Sequence, residues 1–210
     1  MAETDAAPAA PTRTDRRREQ TRAALVGAAR DLITTKAVSG LRINEITERA
    51  DVALGSFYNY FESKEDIVET VVSESLRDLA EAVATKTTDD QDPAELVSLA
   101  IRRFVRLAYD DAGFARLVVH LNHADALFAS AVHPAARGAV EAGITSGRFQ
   151  VTDLEVAVTA IVGGSLALMR AIVDDQLPAG AETAYAELAI RALGISPDEA
   201  AEITARPLRT

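Results

Sequence analysis

RINEITERADVALGSFYNYF, Arg42–Phe61, is the stretch that decides how this chain folds. In its first half Ile43 and Ile46 are three apart and Ala50 lies four further on, which is one face of a helix. In its second half Phe57 and Phe61 are four apart, again a single face. Arg49–Ala53 leaves only about three residues to reverse direction, so the two helices cross steeply, as in a helix-turn-helix. The second helix keeps its phenylalanines on one side and leaves Leu54, Gly55, Ser56, Tyr58, Asn59 and Tyr60 available elsewhere. Two phenols, an amide and a hydroxyl on an outer face suit phosphates and base edges.

Downstream, Ser63 reads as an N-cap with Asp66 three residues on, so a new helix starts at Lys64. Lys64 falls in that helix's first turn, where the macrodipole disfavours a cation. It is either an incidental surface lysine or, with the helix end, a phosphate holder. Upstream, Leu25, Ala29, Leu32 and Ile33 form the buried stripe of a helix over about Arg17–Thr35, and Gly40 marks the break after it. A helix over about Ile43–Ala50 and another over about Leu54–Tyr60 complete a head. Its expected core is Leu25, Ala29, Leu32, Leu41, Ile46, Val52, Phe57 and Phe61.

Gly40-Leu41, Ile46-Thr47-Glu48-Arg49-Ala50, Gly55-Ser56-Phe57-Tyr58-Asn59-Tyr60-Phe61 and Ser63-Lys64-Glu65 together resemble the amino-terminal domain of TetR-family transcriptional regulators, over roughly residues 19–79. Three positions depart from that pattern. Arg42 and Ala53 stand where the family usually has capping hydroxyls, and Asp51 where it usually has glycine. Losing a cap costs roughly 1 kcal/mol. Aspartate tolerates a left-handed turn better than most residues, so the turn survives. The resemblance implies DNA contacts by Arg42, Ile43, Leu54, Gly55, Ser56, Tyr58, Asn59, Tyr60 and Lys64. Of these, Arg42, Ser56, Tyr58, Tyr60 and Lys64 would hold phosphates, and Leu54, Gly55 and Asn59 would lie nearest base edges. It also implies a repressor of a palindromic double-stranded DNA operator, a small-molecule effector, a homodimer, and no cofactor.

The charge distribution fits. The whole chain carries −10, but residues 1–64 hold ten Lys/Arg against nine Asp/Glu, so the acidity lies in the remainder. Arg13, Arg16, Arg17, Arg18 and Arg22 crowd the amino-terminal part. They suit either a phosphate backbone or a solubilising tail. The first 15 residues are rich in Ala, Pro and Thr and are expected to be a disordered tail. There is no cysteine, in keeping with a reducing cytoplasm. The amino terminus has no apolar signal core, and neither secretion nor a membrane span is expected.

Sparse Pro and Gly, abundant Ala and recurrent helix starts make the chain all-α. The expected division is a tail over 1–15, a DNA-binding domain over 16–79 with its helix-turn-helix at about 42–61, and an effector-binding and dimerisation domain over 80–210. Helices are expected at about Lys64–Thr85, Asp92–Tyr109, Phe114–His123 after a break at Gly113, Asp125–Ser146 with Pro134 inside, Asp153–Asp174, Glu182–Leu193 and from Ser196 to about Ala205. Residues Thr85–Asp92 read as a loop. The helix over 153–174 is apolar almost all round and must be covered on both sides. Gly163-Gly164-Ser165 either lets another helix approach closely or serves packing within the chain. By resemblance, the helices at 153–174 and 182–193 build the dimer interface. The effector pocket, also by resemblance, would draw on Phe104, Leu107, Leu117, His120, Leu121, Phe128 and Met169, whose apolar character suggests an apolar ligand.

No phosphate-binding Gly-rich loop, nucleophile elbow or His-Glu-x-x-His occurs, and no enzyme is expected. The alternative is a metal- or cofactor-binding helical bundle. It would use His120 and His123, three apart on one expected helix, with His133 further on.

Overall fold

A computed structural model of the chain describes residues 12–35, 40–85 and 91–208, and among these all regular secondary structure is helical. The helices are α1 (Arg13–Thr35), α2 (Ile43–Arg49), α3 (Leu54–Phe57), α4 (Lys64–Thr85), α5 (Pro93–Asp110), α6 (Ala112–His120), α7 (Ala124–Thr145), α8 (Leu154–Val173), α9 (Ala181–Ala192) and α10 (Pro197–Ala205). The chain divides into two compact units, Met1–Val71 and Val72–Thr210. Of the expected tail, residues 1–11 lie outside the described residues, as do 86–90 of the expected loop.

In the first unit Leu25, Ala29, Leu41, Ile46, Phe57 and Phe61 are buried as expected, whereas Leu32 and Val52 are only half-buried. The Phe57 and Phe61 rings pack at 5.7 Å between centroids, and the Arg22 guanidinium lies 5.5 Å over the Phe61 ring. Asp51 has φ 54°, the left-handed turn that aspartate tolerates. α1 begins four residues before the expected Arg17, so Arg13–Asp15 are helical rather than tail. A reciprocal cap explains the early start. The Asp15 amide donates to Thr12 Oγ1 (3.2 Å), and the Thr12 amide donates to the Asp15 carboxylate (2.9 Å). α3 is shorter than expected. Tyr58–Tyr60 leave the α-helix for i→i+3 turns, with the Asn59 amide on Ser56 O and the Tyr60 amide on Phe57 O.

In the second unit one continuous apolar core joins α5 to α10. Caps set most helix starts. Asp92 accepts from the Ala94 amide, Asp153 from Val156 and Ser196 from Glu199. α6 departs from expectation. Asp111 (φ −142°, ψ 73°) caps it through the Phe114 amide, so the break falls at Asp111 and Gly113 lies inside the helix. The helix ends at His120 because Leu121 turns extended and His123 adopts φ 59°. Within the Gly163-Gly164 pair, Gly164 serves packing inside the chain, since a Cβ there would meet Tyr185 Oη at 2.0 Å. Gly163 faces open space. α8 is long and apolar enough to cross a membrane by length and composition, and 44% of that window is buried in the fold.

Arg148, in the segment after α7, ties two helix starts together. Its guanidinium donates to both Asp92 oxygens (2.8 Å each) and to Glu199 (2.6 Å). The Arg148 bonds hold the Asp92 carboxyl below the usual carboxylate range, against the opposing effect of burial. A carboxyl whose folded pKa lies below its unfolded value, ~3.9, contributes stability in full above that value and loses it as the pH falls through the folded pKa. Arg148→Ala is therefore expected to cost about 2 kcal/mol at neutral pH. The difference from wild type should hold down to about pH 4, near the unfolded value, and shrink as the pH falls further. Urea titrations across that range check it; a pH-independent difference would remove Asp92 from the account.

Candidate functional site

The helix-turn-helix begins both of its helices without a side-chain cap. Arg42 (φ −122°, ψ 141°) and Ala53 (φ −63°, ψ 139°) are the N-cap residues of α2 and α3, and neither makes a side-chain capping bond. Leu54 and Tyr58 are large apolar or aromatic groups left 48% and 59% exposed, which no core requirement explains. The Tyr58 ring packs edge-on against Phe57 (5.4 Å, 81°), fixing where its hydroxyl goes. Arg42, Gly55 and Asn59 are exposed, while Ile43, Ser56, Tyr60 and Lys64 are half-buried. Lys64 Nζ is 3.9 Å from Glu65, a loose pair at the surface.

A polar groove of about 660 Å³ runs beside this face. Ser56, Asn59 and Tyr60 form one side and Asp51, Val52 and Ala53 the turn. Thr14, Arg17, Arg18 and Thr21 of α1 form the other side. Arg42, Ile43, Leu54, Gly55, Tyr58 and Lys64 lie outside its lining. In the sequence the α1 residues stand out only as an arginine cluster, because the helix that aims them starts earlier than its apolar stripe.

The second unit holds an apolar cavity of about 430 Å³ among α5, α7 and α8, with Ala80 of α4 in its wall. Small side chains on α7 make the room: Ala135, Ala136, Gly138, Ala139 and Ala142 are too short to reach α5 and α8. Phe104 and Phe128, edge to face at 5.8 Å, close one wall. Ser165 is the polar side chain in the lining, and its hydroxyl donates to Ile161 O (2.8 Å). Of the seven residues expected at a pocket, Phe104 and Phe128 line this cavity. Leu107, Leu117, His120, Leu121 and Met169 do not. Met169 is fully buried core, Leu107, Leu117 and Leu121 pack against that core, and His120 is exposed, with Nδ1 3.0 Å from Arg116 O.

The histidine alternative is not favoured. α6 stops at His120, so His120 and His123 share no helical face, and His133 Nε2 lies 3.6 Å from Glu155 instead. Among the described residues no group of three or more His, Cys, Asp or Glu could hold a metal ion.

Comparison with known proteins bears on both sites. Residues 25–71 match the family described as bacterial regulatory proteins, tetR family, and residues 92–206 match the tetracyclin repressor-like C-terminal domain. An uncharacterized HTH-type transcriptional regulator of Mycobacterium tuberculosis is 28% identical over 100 residues, 48% of this chain and 50% of that protein. The chain thus spans about half the length of the curated relatives it matches. The structure of RolR in complex with the ligand resorcinol has a TM-score of 0.79 at 31% identity, covering 93% of this chain and 98% of that one. RolR without ligand has a TM-score of 0.76 at 30% identity, covering 90% and 98%. FadR of Bacillus subtilis, in complex with stearoyl-CoA, has a TM-score of 0.61 at 20% identity, covering 81% and 98%; that likeness is one of fold.

Proposed function

Since this chain belongs to the tetR family of bacterial regulatory proteins, DNA-binding transcriptional regulators rather than enzymes, we propose that it is a homodimeric repressor released from a palindromic operator by a small, uncharged, largely apolar effector. The observation that carries the effector reading is the 430 Å³ cavity whose lining has one polar side chain among the described residues. Residues 16–79 serve DNA binding, and residues 80–210 serve effector binding and dimerisation.

On DNA, Arg42, Ser56, Tyr58, Tyr60 and Lys64 hold phosphates, while Leu54, Gly55 and Asn59, with Ile43 beside them, lie nearest base edges. The exposure of Leu54 and Tyr58 supports this. A two-fold operator asks for a two-fold protein. An apolar face is available for it: Val156, Ala160, Gly163 and Ala167 form an exposed stripe on α8, and Ala184 and Leu188 one on α9. The same stripe accounts for the membrane-like composition of α8 as a subunit face, in a protein that works on DNA in the cytoplasm.

RolR binds resorcinol, a small ring with two hydroxyls. A ligand of similar size suits this cavity, but the chemistry here is drier. Ser165 has already given its proton to Ile161 O, so it can accept from one ligand hydroxyl. Among the described residues no basic side chain lines the cavity to meet an anion. The expected effector is an uncharged hydrophobe with at most one hydroxyl. Ligand pressure on Ala80 acts on α4, the helix that begins at Lys64. Coupling of about 1–3 kcal/mol suffices to favour the state that no longer spans both half-sites.

Ala139→Leu tests the reading. It should fill the cavity, leave affinity for a selected operator within about twofold, and abolish release by hydrophobic ligands that release the wild type. Band-shift titrations with and without ligand measure both. Undiminished release from the variant would move the effector site elsewhere.

A further inference from the structure

α5 stands between the apolar cavity and α9. At about 100° per residue, Leu96, Val97, Ala100, Ile101 and Phe104 share the side of α5 that lines the cavity. Arg102 and Arg106 fall on the opposite side, and α5 packs against α9 as well as against α7 and α8. There the arginines meet Glu182, in the first turn of α9, a residue only 8% exposed. A buried carboxylate is tolerated when it is paired and hydrogen-bonded. Glu182 is short of both. Its Oε1 lies 4.0 Å from Arg106 Nη1, beyond hydrogen-bond reach, and its Oε2 has no partner among the described residues. Arg102 Nε is buried and without a partner among the same residues. Burial holds the Arg102 pKa below its ordinary value, and the nearby Glu182 charge works against that.

Arg106 is engaged elsewhere. It donates to both oxygens of Asp110, 3.3 Å each, and the Asp110 side chain is 60% exposed. An exposed pair one helical turn apart contributes little. Arg106 therefore stands between two carboxylates, one wet and weakly held, the other buried and lacking a donor. Closing the 4.0 Å gap takes a movement of about 1 Å, the scale on which packed helices shift in switching proteins.

We propose that α5 is a moving wall that reports filling of the cavity to α9. A ligand pushes α5 from the cavity side, Arg106 exchanges Asp110 for Glu182, and the closed pair draws the start of α9 toward α5. The two arrangements differ in named contacts, as a two-state element must. α9 carries Ala184 and Leu188 of the exposed stripe, so the exchange alters how two copies pair, and with it their fit to two half-sites. This inference rests on the cavity as the effector site and on α8 and α9 as the subunit face.

The experiment uses the full-length protein, an operator duplex selected from random DNA, and toluene, phenol and cyclohexanol as probes. Calorimetry follows probe uptake; anisotropy follows operator affinity with and without saturating probe. Wild type should lose operator affinity by a factor of about 5 to 150. Arg106→Gln keeps helix propensity, leaves the cavity lining intact and removes the exchanging charge. It should still take up probe, yet its operator affinity should change by less than about twofold on saturation. Glu182→Gln should lose the response in the same way. Asp110→Asn should act in the opposite sense. With Arg106 released to Glu182, operator affinity without probe should fall by up to about fivefold, and probe should bind more tightly. A static ion cluster gives no such opposition. Wild-type release in Arg106→Gln overturns the exchange, as does Asp110→Asn with unchanged operator and probe affinity, and in either case the cavity keeps its role. If the wild type takes up no probe, or takes it up without release, the effector reading fails and the moving wall with it.

Discussion

Replacing Val156 and Leu188 together by aspartate is expected to turn the protein into a monomer and to lower operator affinity by about 100-fold or more. Val156 is 67% exposed and Leu188 62%, so neither substitution disturbs the core of a single chain. Far-UV helicity and the unfolding midpoint at low concentration should hardly move. In a dimer built on α8 and α9, however, each copy brings two carboxylates into a face made of alanine, glycine, valine and leucine. Burying unpaired charge there costs far more than giving up the apolar packing of the two side chains. A single head keeps its own grip on DNA but forfeits the effective concentration that a linked second head supplies, a factor of roughly 10² to 10⁴ in comparable two-site systems. Sedimentation velocity and operator titrations on one preparation check both halves. A variant that stays dimeric would place the subunit face elsewhere. A monomer with undiminished affinity would mean that one head suffices and that the operator need not be two-fold.

The legible parts of the chain are those governed by local rules. Periodicity puts Ile46, Phe57 and Phe61 in the head core, and each is buried. Aspartate's tolerance of a left-handed turn is realised at Asp51, with φ 54°. Ser63, Asp92 and Ser196 have the sequence context of caps and accept the expected amide bonds. The departures have local causes too. Thr12-Arg13-Thr14-Asp15 is a capping box, but it precedes a polar run, and the apolar stripe begins only at Leu25. Gly113 resembles a breaker because Asp111, the actual cap, stands two residues before it.

The cavity is not legible in the same way. Large apolar residues such as Leu107, Leu117 and Met169 invite selection as lining, yet large residues fill space. The volume arises where α7 presents Ala135, Ala136, Gly138 and Ala139 toward α5 and α8, and in sequence the alanines read as ordinary helix formers. Which small side chains face one another depends on the rotation of three helices about their axes. That rotation is fixed by tertiary packing, and no local pattern encodes it. The groove beside the helix-turn-helix is similar, since it forms only where α1 packs beside the turn and brings Arg17 and Arg18 to the same lining as Ser56 and Tyr60.

The two adjacent glycines of α8 should respond in opposite ways to the same change. Gly164→Ala places a methyl carbon 2.0 Å from Tyr185 Oη and 2.6 Å from Cζ, distances no pair of atoms sustains. Relief requires that the ring leave or that α9 shift. The ring is well held. Tyr185 Oη donates to Ala160 O and Ile161 O, 3.0 Å each, and burial pushes its phenol pKa up to about 12. Overpacking of this kind costs about 1–3 kcal/mol, and losing the shared hydrogen bond adds about 1 more. The gain in helix propensity on replacing glycine, about 1 kcal/mol, offsets only part of it. A net loss of about 2 kcal/mol is expected in urea titrations. Gly163→Ala has nothing within 4 Å of its new carbon, so in a single chain only the propensity gain remains and the fold should be more stable. The decisive comparison is a cycle with Tyr185→Ala. Once the ring is gone, Gly164→Ala should change sign and stabilise by about 1 kcal/mol, as at its neighbour. If Gly164→Ala is equally damaging with and without the ring, the reason for a glycine there is not the seat of Tyr185. Because α9 carries Leu188 three residues beyond that tyrosine, the same variant should also weaken dimerisation, tying the packing inside one chain to the pairing of two.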